Sequence, residues 1–213
     1  MRLAFDAVSA YDAAYSGLST QVVDHIGRSE PFDVPTWAAE ADWVDHALFI
    51  APCDAGTIDV GCGPGRLVGA LTSRQVPAMG IDVSSEAVRQ TRDRGAHAER
   101  RSVFSALPGE GSWAYALLAD GNLGIGGDPA RLLARLGEVL APGGQVIAEV
   151  DDHGAGLVRE RRQLRVDGRL SAPFDWAVVG LDAIEQVAAS AGMEVLATST
   201  IGGRHAATLH RMP

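Results

Sequence analysis

Asp59-Val60-Gly61-Cys62-Gly63-Pro64-Gly65 is the stretch on which the reading of this chain turns. Thr57 to Val60 reads as a short buried strand, three glycines follow at alternate positions, and Arg66 to Arg74 reads as a helix. Gly61 and Gly63 put no Cβ between the backbone and a ligand, and Gly65 lets the helix start close against the strand. Asp59, at the strand end, is placed to accept a hydrogen bond from a cationic amine lying on the loop. A dinucleotide loop has its third glycine one residue later, in Gly-x-Gly-x-x-Gly, so that a helix N-terminus cradles pyrophosphate. Here that glycine comes early and a proline occupies the turn. The spacing favours a nucleoside ligand with an ammonium group and no phosphate.

Outward from the loop, short apolar runs alternate with helical periods, the pattern of parallel βαβ units. Ala78 to Ile81 reads as a second strand ending at Asp82, and Ser84 caps a helix reaching about Arg94. Asp82 lies 21 residues beyond Gly61, where a carboxylate can grip two ribose hydroxyls. A third strand falls near Ala96 to Val103, and Trp113 to Ala119 is an apolar fourth. Asp128-Pro129 opens a helix that carries Leu132, Leu133, Leu136, Val139 and Leu140 at helical spacing until Pro142-Gly143-Gly144. Gln145 to Val150 is a fifth strand. Leu181 to Glu185 places a capping box before a helix that Gly192 ends. Met193 to Thr200 and His205 to Arg211 read as an antiparallel pair around Gly202-Gly203.

Asp6 to Tyr15 reads as one short helix. Pro35 opens another, in which Trp37, Ala41, Val44 and Leu48 share a face. Residues 1–50 are therefore expected to form a helical cap over the C-terminal edge of the sheet, within the same domain as the ligand-binding part at 51–213. The stretch from Gly154 to Ala172 reads as irregular, and the charged run Arg159 to Arg165 as a solvated face, with the binding of an anionic acceptor as the alternative.

The bulk numbers set outer bounds. With 213 residues, 46% of them hydrophobic and 21% charged, the chain suits one α/β domain with a full core. A net charge of −9 repels phosphate backbones, which argues against a nucleic-acid partner. Two cysteines, Cys53 and Cys62, and no apolar leader in Met1 to Asp6 lead to the expectation of a cytoplasmic protein with no membrane partner. All 18 basic residues are arginines, which together with many alanines suggests a GC-rich genome and a specialised pathway. Oligomeric state leaves no trace in the sequence.

Taken together, Asp59 to Gly65 resembles motif I of the class I S-adenosylmethionine-dependent methyltransferases of the small-molecule type. Gly80-Ile81-Asp82-Val83-Ser84 resembles the segment that follows it, Leu117-Leu118-Ala119-Asp120 the fourth-strand motif, and Leu140-Ala141-Pro142-Gly143-Gly144 the loop before strand five. The resemblance covers about Thr57 to Val150. It implies a seven-stranded, mostly parallel sheet of order 3-2-1-4-5-7-6, the last strand antiparallel, with helices on both faces. It also implies S-adenosylmethionine as cofactor, with Asp59, Gly61, Cys62, Gly63 and Gly65 around the methionine part, Asp82 on the ribose and Val83 on the adenine. Tyr11-Asp12 resembles a tyrosine–acid pair that closes over the cofactor. Two family features are missing. No acid follows strand three in Arg101-Ser102-Val103-Phe104-Ser105, which leaves Val103 and Phe104 to pack on the adenine. The Asn/Asp-Pro-Pro-Tyr/Phe motif is replaced by Ala119 to Asp128, which weakens nucleobase or amide methylation.

Methyl transfer from a sulfonium is an in-line displacement that positioning alone can accelerate, so the family implies no fixed catalytic set. Ala119 and Asp120 are expected beside the cofactor's methyl end. Asp120, Asn122 and His153 are the candidate catalytic groups, and Tyr15, Trp37, Asn122 and Trp176 the candidate walls of a small-molecule acceptor pocket. No metal-ligand spacing is present. Two alternatives stay open: a member of the fold that binds the cofactor without methylating, and a nicotinamide dehydrogenase, which the glycine spacing disfavours.

Overall fold

The architecture is described by a computed structural model covering residues 5–212; the Met1–Ala4 part of the leader reading lies outside the described residues. The N-terminal segment comprises α1 (Ala7–Tyr15), β1 (Thr20–Val23), β2 (Ser29–Pro31), α2 (Val34–Ala38) and α3 (Trp43–Asp45), which runs on as a π turn over His46–Ile50. The Asp6 side chain caps α1 by accepting from the Ser9 N–H, and Asp33 caps α2 in the same way through Thr36. Then come β3 (Thr57–Val60), α4 (Arg66–Ser73), β4 (Ala78–Asp82), α5 (Ser85–Asp93), β5 (Ala98–Arg100), β6 (Trp113–Leu118), a 3₁₀ segment (Asn122–Gly127), α6 (Pro129–Val139) and β7 (Leu140–Val150). The chain closes with β8 (Leu157–Val166), β9 (Arg169–Leu170), β10 (Phe174–Val179), α7 (Ile184–Ser190), β11 (Met193–Ile201) and β12 (Arg204–Arg211).

Seven strands form the main sheet in the order β11-β12-β7-β6-β3-β4-β5. The pairs from β5 to β7 are parallel, and β12 runs antiparallel to both neighbours. Counted along this sheet, the order is the expected 3-2-1-4-5-7-6. Alternation along the strands splits the core in two. Ile58 and Val60, Ala116 and Leu118, and Val146 and Ala148 face Leu132, Leu133 and Leu136 of α6 and Ile184 and Val187 of α7. On the other face Leu117, Ala119, Ile147 and Ala206 pack on Leu67 and Leu71 of α4 and on Val44, Leu48, Phe49 and Ile50.

Three expectations need correction. The N-terminal segment is not helical throughout: β1 pairs with β2 and with β8, β8 pairs with β10 and β9, and together they make a second, antiparallel sheet of five strands. Residues 154–172 are accordingly not irregular. The run Arg159 to Arg165 is the middle of β8, whose alternate side chains Leu164 and Val166 are buried with Ala10 of α1. Charge on one face of a strand hid the other face from a helical or loop reading. The proposed capping box at α7 is absent too, since the Asp182 carboxylate accepts from the Gly156 N–H and the helix starts at Ile184 with no side-chain cap.

The α1 helix and the second sheet roof the C-terminal ends of the parallel strands. Asp12 fixes the roof on one side, accepting from the Ser84 and Ser85 hydroxyls at 2.6 and 3.0 Å and from the Glu86 N–H at 3.1 Å, at the N-terminus of α5. On the other side β10 rests on the 3₁₀ segment. A Cβ at Gly124 would collide with the Ala177 carbonyl, and one at Gly127 would lie 2.7 Å from Asp175 Cβ. The glycines between Ala119 and Asp128 therefore let the roof approach the main sheet.

Candidate functional site

Beneath the roof lies a cleft of about 490 Å³. Its floor is the glycine loop. Gly61, Gly63 and Gly65 have φ of +72°, +52° and +85°, the left-handed region that favours glycine. The N–H groups of Gly61 and Cys62 both donate to the Ile81 carbonyl, which folds the loop over the end of β4. The loop is also gripped from β6: Asn122 Nδ2 donates to the carbonyls of Val60 and Gly61 at 3.0 and 2.9 Å. A Cβ on Gly61 would lie 2.8 Å from that same nitrogen.

Three acids surround the loop, and two of them are buried. Asp59 is 3% exposed, and burial, reinforced by the charge of Asp120 and opposed by Arg66, pushes its carboxyl up to about 7. Asp82 is 8% exposed and accepts from the Gly63 N–H at 3.0 Å and the Ser84 N–H at 2.8 Å. Burial raises its carboxyl despite those donors. The third acid belongs to an ion network across the strand ends. Arg66 Nη2 donates to both oxygens of Asp120, at 2.9 and 2.7 Å, and its Nη1 lies 3.0 Å from Asp45. Arg204 bonds Asp45 at 2.7 Å and Glu149 at 2.7 and 2.8 Å, while Glu149 accepts the Asp120 N–H at 2.6 Å. Three carboxylates thus share two guanidiniums. The network holds Asp120 at φ +53°, a strained conformation for a residue with a side chain.

The far wall is aromatic. Phe32 lies 5.7 Å from Tyr11, 5.8 Å from Tyr15 and 4.6 Å from Trp37 between ring centroids. Phe174 lies 5.7 Å from Tyr11 and 6.3 Å from Trp176. Burial raises both tyrosine hydroxyls well above the phenol range, so they are neutral donors. Glu30, Asp120, Arg162 and Trp176 border this cleft and also a recess of about 320 Å³ beside it.

Residues 58–144 match the family model for the methyltransferase domain. That stretch is less than half of the chain, and it is similar to a methyltransferase domain. This family uses S-adenosylmethionine as cofactor. A curated relative, an uncharacterized 37.1 kDa protein in transposon TN4556 of Streptomyces fradiae, is 35% identical over 97 residues, which span 42% of this chain and 28% of that protein's length. Among solved structures, a SAM-dependent methyltransferase of Bacteroides fragilis in complex with S-adenosylhomocysteine superposes with a TM-score of 0.79 at 16% identity, over 99% of this chain and 98% of its own. The CcbJ methyltransferase of Streptomyces caelestis gives 0.65 at 15% identity over 83% and 92%. The 1,6-didemethyltoxoflavin-N1-methyltransferase of Burkholderia thailandensis gives 0.56 at 15% identity over 84% and 78%. At such identities the likeness speaks for the fold, which is the class I, Rossmann-like one.

The cleft under the roof brings together most of the residues read from the sequence. Asp59, Gly61, Cys62 and Gly63 line it at the loop, and Asp82, Val83 and Val103 along the next two strand ends. Ala119, Asp120 and Asn122 line it from β6, and Tyr11, Tyr15, Trp37 and Trp176 from the roof. Three do not reach it. Gly65 caps α4 against Thr91, whose Cγ2 and Oγ1 would lie 2.6 Å from an added Cβ. The Phe104 ring packs under the Arg131 guanidinium at 4.6 Å. His153 is exposed on the turn after β7 and does not line the cleft, because β8 carries the chain away at that point. Asn122 also has a different task from the one expected, since its amide is spent on the glycine loop. Among the described residues no group of three or more potential metal ligands gathers, and no helix is long and apolar enough to cross a membrane. The sequence reading missed Arg66, Phe32, Glu30 and Arg162. Arg66 had left a signal: a cation in the first turn of a helix opposes the helix dipole and calls for buried acids nearby.

Proposed function

We propose that this chain is an S-adenosylmethionine-dependent methyltransferase that binds its cofactor along the glycine loop and methylates a small molecule under the roof. The observation that carries the reading is the pair of buried, raised carboxyls at neighbouring strand ends. Asp59 faces the cleft flanked by charges, with no hydrogen-bond donor to it among the described residues, and Asp82 accepts one backbone N–H on each oxygen. The first suits an ammonium group, the second a ribose. Gly61 and Gly63 leave the space between them free of Cβ atoms.

The cofactor supplies a methyl on a sulfonium, which needs neither a metal nor a covalent enzyme intermediate. The remaining work falls to the chain. Asp59 and the loop backbone hold the amino-acid end, Asp82 the ribose, and Val83, Ser102 and Val103 flank the base. Asn122 keeps the loop rigid, and the Asp120 network fixes the floor where the methyl end lies. The aromatic roof excludes water and positions the acceptor in line. The name of the Burkholderia enzyme gives a small heterocyclic acceptor, which supports a small molecule here. The test is calorimetry with S-adenosylhomocysteine and with NAD. Micromolar binding of the first and none of the second is expected, with methyl transfer from labelled S-adenosylmethionine to a small-metabolite panel. Binding of NAD in place of S-adenosylhomocysteine would overturn the assignment.

A further inference from the structure

Resting on that reading, we infer that the acceptor is an amine that enters the aromatic chamber as a cation and is methylated on nitrogen. The first observation is the wall itself. Tyr11, Phe32, Phe174 and Trp176 form a continuous run of rings, tilted or edge-on to one another, which leaves faces and edges turned to the chamber. One face already holds a cation: the Arg162 guanidinium stands 5.6 Å from the Trp176 ring centroid, with its charge satisfied by Glu160 at 2.7 Å. Rings arranged in this way attract ammonium groups through their quadrupoles.

The second observation is charge. The recess that opens beside the chamber is bordered by Glu30, Asp120, Glu149 and Asp151 against Arg162 as its one basic residue. The cleft itself is lined by Glu30, Asp59, Asp82, Asp120 and Asp175 against Arg66, Arg101 and Arg162, five acids to three cations. The field along the way in therefore favours a cation, and on the floor three carboxylates to two guanidiniums leave negative charge to offset a cationic acceptor beside a sulfonium.

The third observation is that no histidine stands in the cleft as a base, while Asp59 and Asp82 are assigned to the cofactor and Glu30 and Asp175 are exposed. An alcohol or phenol holds its proton and needs a base to remove it. None of the six histidines lines the cleft. Both oxygens of Asp120 are held by Arg66, and the two tyrosines are neutral. An amine needs no such group. Once seated against the rings, the ammonium gives one proton to solvent, the nitrogen lone pair forms the bond to the methyl carbon, and the carbon–sulfur pair returns to sulfur. The products are the methylated ammonium, S-adenosylhomocysteine and that one proton.

The test compares two molecules of one shape, choline and 3,3-dimethyl-1-butanol, which differ by a cationic nitrogen in place of a carbon. Each is titrated calorimetrically into protein saturated with S-adenosylhomocysteine. Choline is expected to bind at least about tenfold more tightly. That preference falls to within about twofold in the double variant Phe174→Leu/Trp176→Leu, whose unchanged S-adenosylhomocysteine binding reports that it is folded. Glu30→Gln, at an exposed position, lowers choline affinity about threefold and leaves the alcohol unaffected. Equal binding of the two probes by the wild-type protein, or no binding of either, overturns the inference while leaving the proposed function standing. Failure of S-adenosylhomocysteine to bind at all overturns both.

Discussion

The proposed seat of the cofactor's ammonium on Asp59 predicts that binding releases a proton. In the free protein burial and the charge of Asp120 raise the Asp59 carboxyl to about 7. An ammonium group beside it favours the ionised form, so the complex holds the proton less tightly than the free protein. Below pH 7 the ligand must displace that proton, and apparent affinity then rises by up to about tenfold per pH unit. Between pH 5 and 7 the gain reaches about 50-fold, or about 2.3 kcal/mol, and above pH 7 it levels off at about 100-fold. S-adenosylhomocysteine, which keeps the ammonium, suffices for the measurement. Calorimetry in buffers of different ionisation enthalpy should report about 0.9 protons released at pH 6 and about 0.1 at pH 8. Asp59→Asn should flatten the profile and weaken binding at pH 8 by about tenfold or more. The same carboxyl acts on stability with the opposite sign. Its folded value lies above the ordinary carboxyl range, so the folded chain keeps a proton that the unfolded chain releases. Stability is therefore lost as pH rises from about 4 to 7 and is constant beyond, and the Asn variant lacks that slope. An affinity independent of pH in the wild type, or an Asn variant with the wild-type slope, would refute the placement of the ammonium on Asp59.

Other positions carry expectations of their own. Gly65→Ala combines φ +85° with a Cβ 2.6 Å from Thr91, and should cost roughly 2–4 kcal/mol and lower Tm by about 10 °C, with partial recovery when Thr91→Ala is added. Asn122→Ala removes both hydrogen bonds to the loop carbonyls and should weaken S-adenosylhomocysteine about tenfold by calorimetry; unchanged affinity would mean that the loop holds its shape without Asn122. Arg204→Met leaves Asp45, fully buried, and Glu149 short of a partner and should lower stability by about 2–3 kcal/mol in urea unfolding, a figure below that of a fully buried pair because Arg204 is partly exposed.

The main sheet was legible because its strands and helices carry single, repeated periods: buried runs at Thr57–Val60 and Trp113–Leu118, and the leucine spacing of α6. The glycine loop and Asp82 at the cleft were legible for a related reason, since a loop and an acid 21 residues on lie in one βαβ unit. The roof was not. β1 and β2 are four and three residues long, and their partner β8 lies more than 130 residues away, so no local period announces the pairing. Trp37 and Trp176 were placed at the cleft as isolated aromatics. Phe32, which joins Tyr11, Tyr15 and Trp37 into one wall, sits between Pro31 and Asp33 with no pattern around it. His153 was read as a candidate from the acids next to it in sequence, yet the chain turns away there and Glu149, four residues earlier, is the side chain that points into the ion network.

The stitching of β1 to β8 sets a rule for recombining this scaffold with others. The aromatic wall is encoded in two distant pieces, roughly residues 5–38 and 157–179, whereas the glycine loop lies between them. A single crossover anywhere in that interval would graft one parent's β1 onto the other's β8 and put four residue pairs, Thr20–Val166 to Val23–Gln163, at risk of mismatch. Chimeras that exchange acceptor preference therefore need two crossovers, importing both pieces from one parent and leaving residues 57–150 from the other. Libraries built that way should retain folded members far more often than single-crossover ones.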